Sequence, residues 1–202
     1  MKKEIEAFRK WAKSFPEQDR YGEWECDYEG WSEINVAFED FINERNPESL
    51  SQEEIEDLIY IIARDNEIGE LVDQICEKKE WFQSLLPRVV NSLEHDAQWQ
   101  FAEQLSNGVL RVNEAEPELL KLVESSHEYT SRMALKALGG IGSMHAESLC
   151  EKAWKTNHEY QRIMALWVLK EIDSSKLPEY VELAYKDGRK YVAQNASEVE
   201  NA

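Results

Sequence analysis

The chain has 202 residues, with 41 Asp and Glu against 23 Lys and Arg, for a formal net charge of −18. With 42% apolar and 10% aromatic residues, it can bury a core and is not a disordered acidic tail. Nucleic acid and anionic membrane call for clustered Lys and Arg at phosphates, so the charge argues against both as partners; its natural complement is a basic protein, and the alternative is that acidity only keeps the chain soluble.

Eight Gly and five Pro are too few for a many-turned sandwich or barrel. The longest apolar runs, such as Leu58-Ile59-Tyr60-Ile61-Ile62-Ala63, are too short to span a bilayer. The first ten residues carry no apolar secretory core. Cys26, Cys76 and Cys150 stand apart without a C-x-x-C, as reduced thiols do, and the expected location is the cytoplasm.

Every segment reads as helix. Ile5, Phe8, Trp11, Ala12 and Phe15 stripe an opening helix, and Ile34, Ala37, Phe38, Phe41 and Ile42 stripe a second over 32–44. Ser51-Gln-Glu-Glu54 is a capping box for a third running through Ile62, with Leu50 and Ile55 as its hydrophobic staple. A fourth covers about 69–78. Residues 1–78 form an acidic helical region, and residues 79–202 form helix pairs over 79–110, 113–142, 145–173 and 176–199. The first pair is carried by Trp81, Phe82, Leu85, Leu86 and Val89, then Trp99, Ala102 and Leu105. Pro117 and Pro178 are read as first-turn residues of later helices.

Charge is uneven along this series. Residues 1–16 hold five basic and two acidic groups; residues 17–57 hold fifteen acids against Arg20 and Arg45 alone. The acidic stretch contains Tyr21-Gly22-Glu23-Trp24-Glu25-Cys26-Asp27-Tyr28-Glu29-Gly30-Trp31, where carboxylates alternate with rings. Either a partner's surface or this chain's own core anchors those rings. The first alternative presents Glu23, Glu25, Asp27 and Glu29 outward; the second makes them solubilising neighbours of a seal.

The second half repeats. His127-Glu-Tyr-Thr-Ser-Arg-Met-Ala-Leu-Lys-Ala-Leu-Gly-Gly-Ile141 aligns without gaps on His158-Glu-Tyr-Gln-Arg-Ile-Met-Ala-Leu-Trp-Val-Leu-Lys-Glu-Ile172, identical at eight of fifteen positions and offset by 31. The two histidines sit where second helices begin, and Gly139-Gly140-Ile141-Gly142 reads as a helix end. A helix–turn–helix unit repeated at about this period is the mark of an α-solenoid. Ala134-Leu-Lys-Ala-Leu-Gly-Gly-Ile-Gly142 resembles the second helix of HEAT repeats, roughly Val-Arg-x-x-Ala-Ala-x-Ala-Leu-Gly-x-Ile-Gly. The resemblance covers about the last three-fifths of the chain and implies an all-α, α-α superhelix with a curved binding surface. The repeat alignment sets Trp167 against Lys136, off the apolar stripe. Trp167 is thus an exposed anchor for a partner or a ring packed on a neighbouring helix.

Catalytic constellations are not evident. There is no phosphate loop, Gly-x-Ser-x-Gly or His-Glu-x-x-His, and the EF-hand-like run from Glu25 has Val36 at its twelfth position where a bidentate Glu belongs. Glu124-x-x-His127 is half of a di-iron carboxylate motif without its other half. No catalytic residue, metal or cofactor is therefore expected. In fold, size and charge the chain is similar to helical immunity proteins of bacterial contact-dependent and polymorphic toxin systems. That resemblance implies one-to-one binding of a basic toxin domain, a nuclease and an RNase before a DNase, by occlusion of its active site. It carries over no functional residue. The expected interface is Glu23, Trp24, Glu25, Asp27, Tyr28, Glu29, Trp31, Glu33, Glu39, Asp40 and Trp167. The alternatives are a cytosolic HEAT scaffold or adaptor and, more remotely, a HEAT-like DNA glycosylase using Trp99, Trp154 or Trp167.

Overall fold

The computed structural model describes residues 1–16, 18 and 20–201. Glu17 and Asp19 of the acidic stretch, and Ala202 at the end of the repeat region, lie outside the described residues. Among the described residues there is helix, turn and coil but no strand, and no helix is long and apolar enough to cross a membrane. The chain is all-α and repeat-like. Residues 1–101 and 102–202 form two compact units.

The first unit holds α1 (Lys2–Ser14), α2 (Trp31–Glu44), α3 (Gln52–Arg64), α4 (Glu70–Cys76), α5 (Lys79–Val90) and most of α6 (His95–Ser106). The expected stripes turn inward: Ile5 and Phe8 from α1, Ile34 and Phe38 from α2, and Leu58, Ile61 and Ile62 from α3 are all buried. Trp81 and Phe82 of α5 join them, and Phe82 stacks on Phe101 with centroids 4.7 Å apart. Ser51 caps α3 as the sequence anticipates: its hydroxyl accepts from Glu54 N–H while the Glu54 carboxylate accepts from Ser51 N–H at 2.8 Å. Asp65, buried beyond the end of α3, accepts from Leu71 N–H at 2.8 Å and ties down the start of α4. Burial pushes its carboxyl up to about 6.

The second unit contains the end of α6 and three helix pairs: α7 (Val112–Leu122) with α8 (Glu128–Gly140), α9 (Ala146–Lys155) with α10 (Glu159–Glu171), and α11 (Leu177–Asp187) with α12 (Lys190–Asn201). The second helices adjoin one another, α8 on α10 and α10 on α12. Leu135, Leu166, Leu169, Val181, Val192 and Ala196 belong to one buried cluster running through the pairs.

The 31-residue repeat is reproduced in several bonds that bridge its turns and helices. Ser143 Oγ donates to Glu116 and accepts from His145 N–H; Ser174 Oγ donates to Glu147 and accepts from Lys176 N–H, with the same distances of 2.5 and 3.2 Å. Ser131 Oγ donates to the Val123 carbonyl where Arg162 Nε donates to that of Trp154. His127 and His158 are the N-cap residues of α8 and α10, matching the sequence reading. The end of α8 also matches. Gly142 adopts the left-handed conformation at φ 68°, and Ser143 N–H closes onto Leu138 O at 2.9 Å. One repeat later Asp173 takes φ 50° and Ser174 N–H closes onto Leu169 O.

One boundary differs. The helix expected to start at Pro117 starts at Val112, with Pro117 inside it. Arg111 N–H donates to the Glu114 carboxylate at 3.2 Å, supplying the start signal. Pro117, the sixth residue of α7, forgoes the bond that an N–H there would make to the Asn113 carbonyl.

Candidate protein interface

The segment joining α1 to α2 is locked from within. Residues Trp24–Asp27 form one 3₁₀ turn. Trp24 stacks on Trp11 with centroids 5.4 Å apart and planes 5° apart, and Arg20 covers it at 4.6 Å. The same Arg20 donates to the Ala12 and Phe15 carbonyls, which capping by a cation leaves satisfied at the end of α1. Phe8 meets Tyr28 edge-on at 5.0 Å and Trp31 at 5.3 Å, and Trp31 Nε1 donates to the Glu25 carbonyl at 2.8 Å. Gly30 completes the lock. A Cβ there would lie 2.7 Å from the far end of the Tyr28 ring, so any other residue would have to displace that ring. Trp24, Tyr28 and Trp31 are half-buried against α1: this chain's own core is their anchor.

Glu23, Asp27 and Glu29 remain exposed, but Glu25 corrects the outward alternation. Its side chain is only 4% exposed, and Oε2 has no hydrogen-bond partner among the described residues. Alternation assumes a period of two, whereas a 3₁₀ turn has three residues per turn, so one of the four carboxylates points inward. Burial raises the Glu25 carboxyl above its ordinary value, against a smaller opposite pull from its own backbone N–H and from Arg64.

On α2, Glu33, Glu39 and Asp40 are exposed. Glu33, Val36 and Asp40 share one helical stripe, and Val36 is 62% exposed among the acids. Not all of the acidic stretch is free in this way. Lys2 pairs with Glu53 at 2.7 Å, Arg9 with Asp57 at 2.5 Å and Arg45 with Glu54 at 2.9 Å. Lys2 and Arg9 of α1 are thus engaged by α3. Glu23, Asp27, Glu29, Glu33, Glu39 and Asp40 make no ion pair with any described residue. Glu67 adds to them. Its carboxyl is held above the ordinary value by desolvation and then by the neighbouring charge and hydrogen bond of Glu23. Sequence reasoning misses Glu67 because 44 residues separate it from Glu23. It also passes over Val36 and the 79% exposed Tyr21, the apolar groups that remain outside once the tryptophans fold in.

In the second unit Trp167 is both partly exposed and packed on a neighbouring helix. It is 36% exposed, and its Nε1 donates to Asn195 of α12 at 2.7 Å. It lines a groove of about 480 Å³ with Ser106, Lys136, Met164 and Glu171. Trp154, by contrast, is buried and meets Tyr180 edge-on at 5.1 Å. Glu124 of the half di-iron motif pairs with Lys152 at 2.6 Å.

These features define an all-helical, repeat-like protein with a concentration of carboxylates lacking ion pairs on a segment of its first unit that is held by ring contacts. Comparison with protein-family models gives no match, and comparison with curated proteins gives no match either.

Proposed function

We propose that this protein is an immunity protein, neutralising a basic toxin domain by stoichiometric occlusion of its active site, with a ribonuclease groove as the target. The observation that carries the reading is the split among the carboxylates. Those at positions 53, 54 and 57 have internal cations, whereas six between positions 23 and 40 have none. Unpaired like charges on a segment immobilised by stacked rings repel one another, and a cationic ligand removes that repulsion. Because the segment is already ordered, little conformational entropy is lost when it binds. A nuclease groove offers the matching cations, since it is built to hold phosphates. Occlusion needs no catalytic group on this chain, and the protein acts as a binder, in the cytoplasm, where the toxin's substrate is found.

The test begins with a partner captured from the source cell, then purified and mixed with the protein. One-to-one binding should abolish the partner's cleavage of RNA, and association should slow roughly ten-fold or more between low and physiological salt. Reversing Glu23, Asp27 and Glu29 to Lys should slow it further. Glu25 is left out, because its side chain is buried. Unchanged affinity and on-rate in the triple reversal would remove this segment from the interface. A partner that binds without losing an activity would favour the scaffold.

A further inference from the structure

The His-Glu-Tyr openings of α8 and α10 have a third counterpart. Arg189-Lys190-Tyr191 stands 31 residues after His158-Glu159-Tyr160, so Tyr129, Tyr160 and Tyr191 are each the second residue of a second helix. Tyr160 is 51% exposed and Tyr191 55%. The first gap in this series is filled. The Arg132 guanidinium lies 4.7 Å from the Tyr129 centroid and 5.0 Å from that of Tyr160, and its Nε is 3.0 Å from the Glu128 carboxylate. A planar cation sits between two rings with an acid beside it.

The repeat register carries the same parts, less one, into the next gap. Glu159 stands in place of Glu128, Tyr160 and Tyr191 in place of Tyr129 and Tyr160, and Ile163 in place of Arg132. Glu159 makes no ion pair with any described residue. Arg189 feels the Glu159 charge without pairing with it, its guanidinium being bonded elsewhere. Arg189 is held by Asp187 and by the Asn157 carbonyl, and Lys190 is an exposed side chain with its ammonium 5.7 Å from the Tyr191 centroid.

We propose that the gap between Tyr160 and Tyr191 receives an arginine side chain from a protein partner, stacked between the two rings and paired with Glu159 as Arg132 is with Glu128. The occupant is arginine in preference to lysine because a planar guanidinium stacks on ring faces while donating sideways to a carboxylate, whereas an ammonium is a compact, strongly hydrated charge. The site lies wholly within the second unit and stands whether or not the toxin reading does.

Titration of the full chain with a blocked oligoarginine peptide and a length-matched oligolysine, followed by aromatic-ring NMR, tests it. At about 0.15 M salt, the Tyr160 and Tyr191 ring signals should shift with oligoarginine and respond roughly five-fold more weakly to oligolysine. Tyr160→Ala and Tyr191→Ala should each remove most of that preference. Ile163→Arg, which supplies the missing guanidinium from the chain itself, should block the peptide at these rings. Glu23→Lys, Asp27→Lys and Glu29→Lys together should leave the tyrosine response intact, which separates this site from the acidic segment. Equal affinity for the two peptides at these rings, or a preference that survives both tyrosine variants, would overturn the proposal.

Discussion

Glu25 shows how one side chain in an acidic segment takes on a role the composition hides. A buried carboxylate with an unpartnered oxygen opposes folding when ionised, because water no longer solvates it. Its folded-state pKa lies above the unfolded value, so the proton favours the folded state. Relative to the ionised chain, that contribution is present at low pH and disappears as pH rises through the folded pKa. Asp65, lifted to about 6 by its own burial, acts in the same direction. Glu25→Gln should therefore stabilise the first unit at pH 7 by about 1 kcal/mol, with a gain that shrinks toward pH 4. Urea denaturation of variant and parent across that range measures it. A gain that is absent at pH 7, or constant with pH, would show that the buried carboxylate is not the source. Charge alternating with aromatics was visible in the sequence. The inward turn of Glu25 was not, because it depends on a 3₁₀ geometry that no residue in Trp24–Asp27 specifies by itself.

At the scale of elements, the repeat works through acceptor oxygens at fixed positions. Ser125, Thr156 and Asp187 occupy one register position, and each accepts from the backbone N–H two residues on: His127, His158 and Arg189. The sequence discloses two copies of this unit through eight identities and a third pair over 176–199, but the acceptor they share is hidden in that third pair because a hydroxyl and a carboxylate do the same job with different letters. Asp187 has gone further. Its carboxyl, buried between Arg189 and Arg162, is held below the usual range, by Arg189 first. The misplaced start of α7 has a related cause: Pro117 is a conspicuous signal, while Glu114 reaching back to Arg111 is a quiet one that needs the helix direction to be known. The repeated serines allow a direct test. Ser143→Ala and Ser174→Ala each remove a hydroxyl that bridges a turn to the first helix of its pair, at a cost of about 1 kcal/mol. The two sites share no partner, so the double variant should lose the sum, read by urea denaturation. A loss confined to one serine would mean that the matching bonds do not carry matching energies.

For the molecule as a whole, the charge belongs mostly to one unit. Residues 1–101 hold 25 acidic and 11 basic groups, a net of −14; residues 102–202 hold 16 and 12, a net of −4. Sequence alone located the excess within 17–57, and the structure adds which of those acids have internal partners. Self-repulsion of this kind destabilises a compact state, and salt weakens it: the screening length falls from about 10 Å at 0.1 M to about 3 Å at 1 M. In the second unit, screening also weakens attractive pairs such as Lys152 with Glu124 and Lys176 with Glu147, so the two effects oppose each other there. Added sodium chloride should accordingly slow amide hydrogen exchange in α2, whose Glu33, Glu39 and Asp40 have no ion pair, more than in α8 and α10. Sodium sulfate is unsuitable for this comparison, because its exclusion from protein surfaces strengthens burial everywhere. Equal protection of all three helices by sodium chloride would mean that the unpaired carboxylates of the first unit are too far apart to repel. A cationic partner would then gain nothing from relieving them, and the electrostatic basis of the proposed interface would go with it.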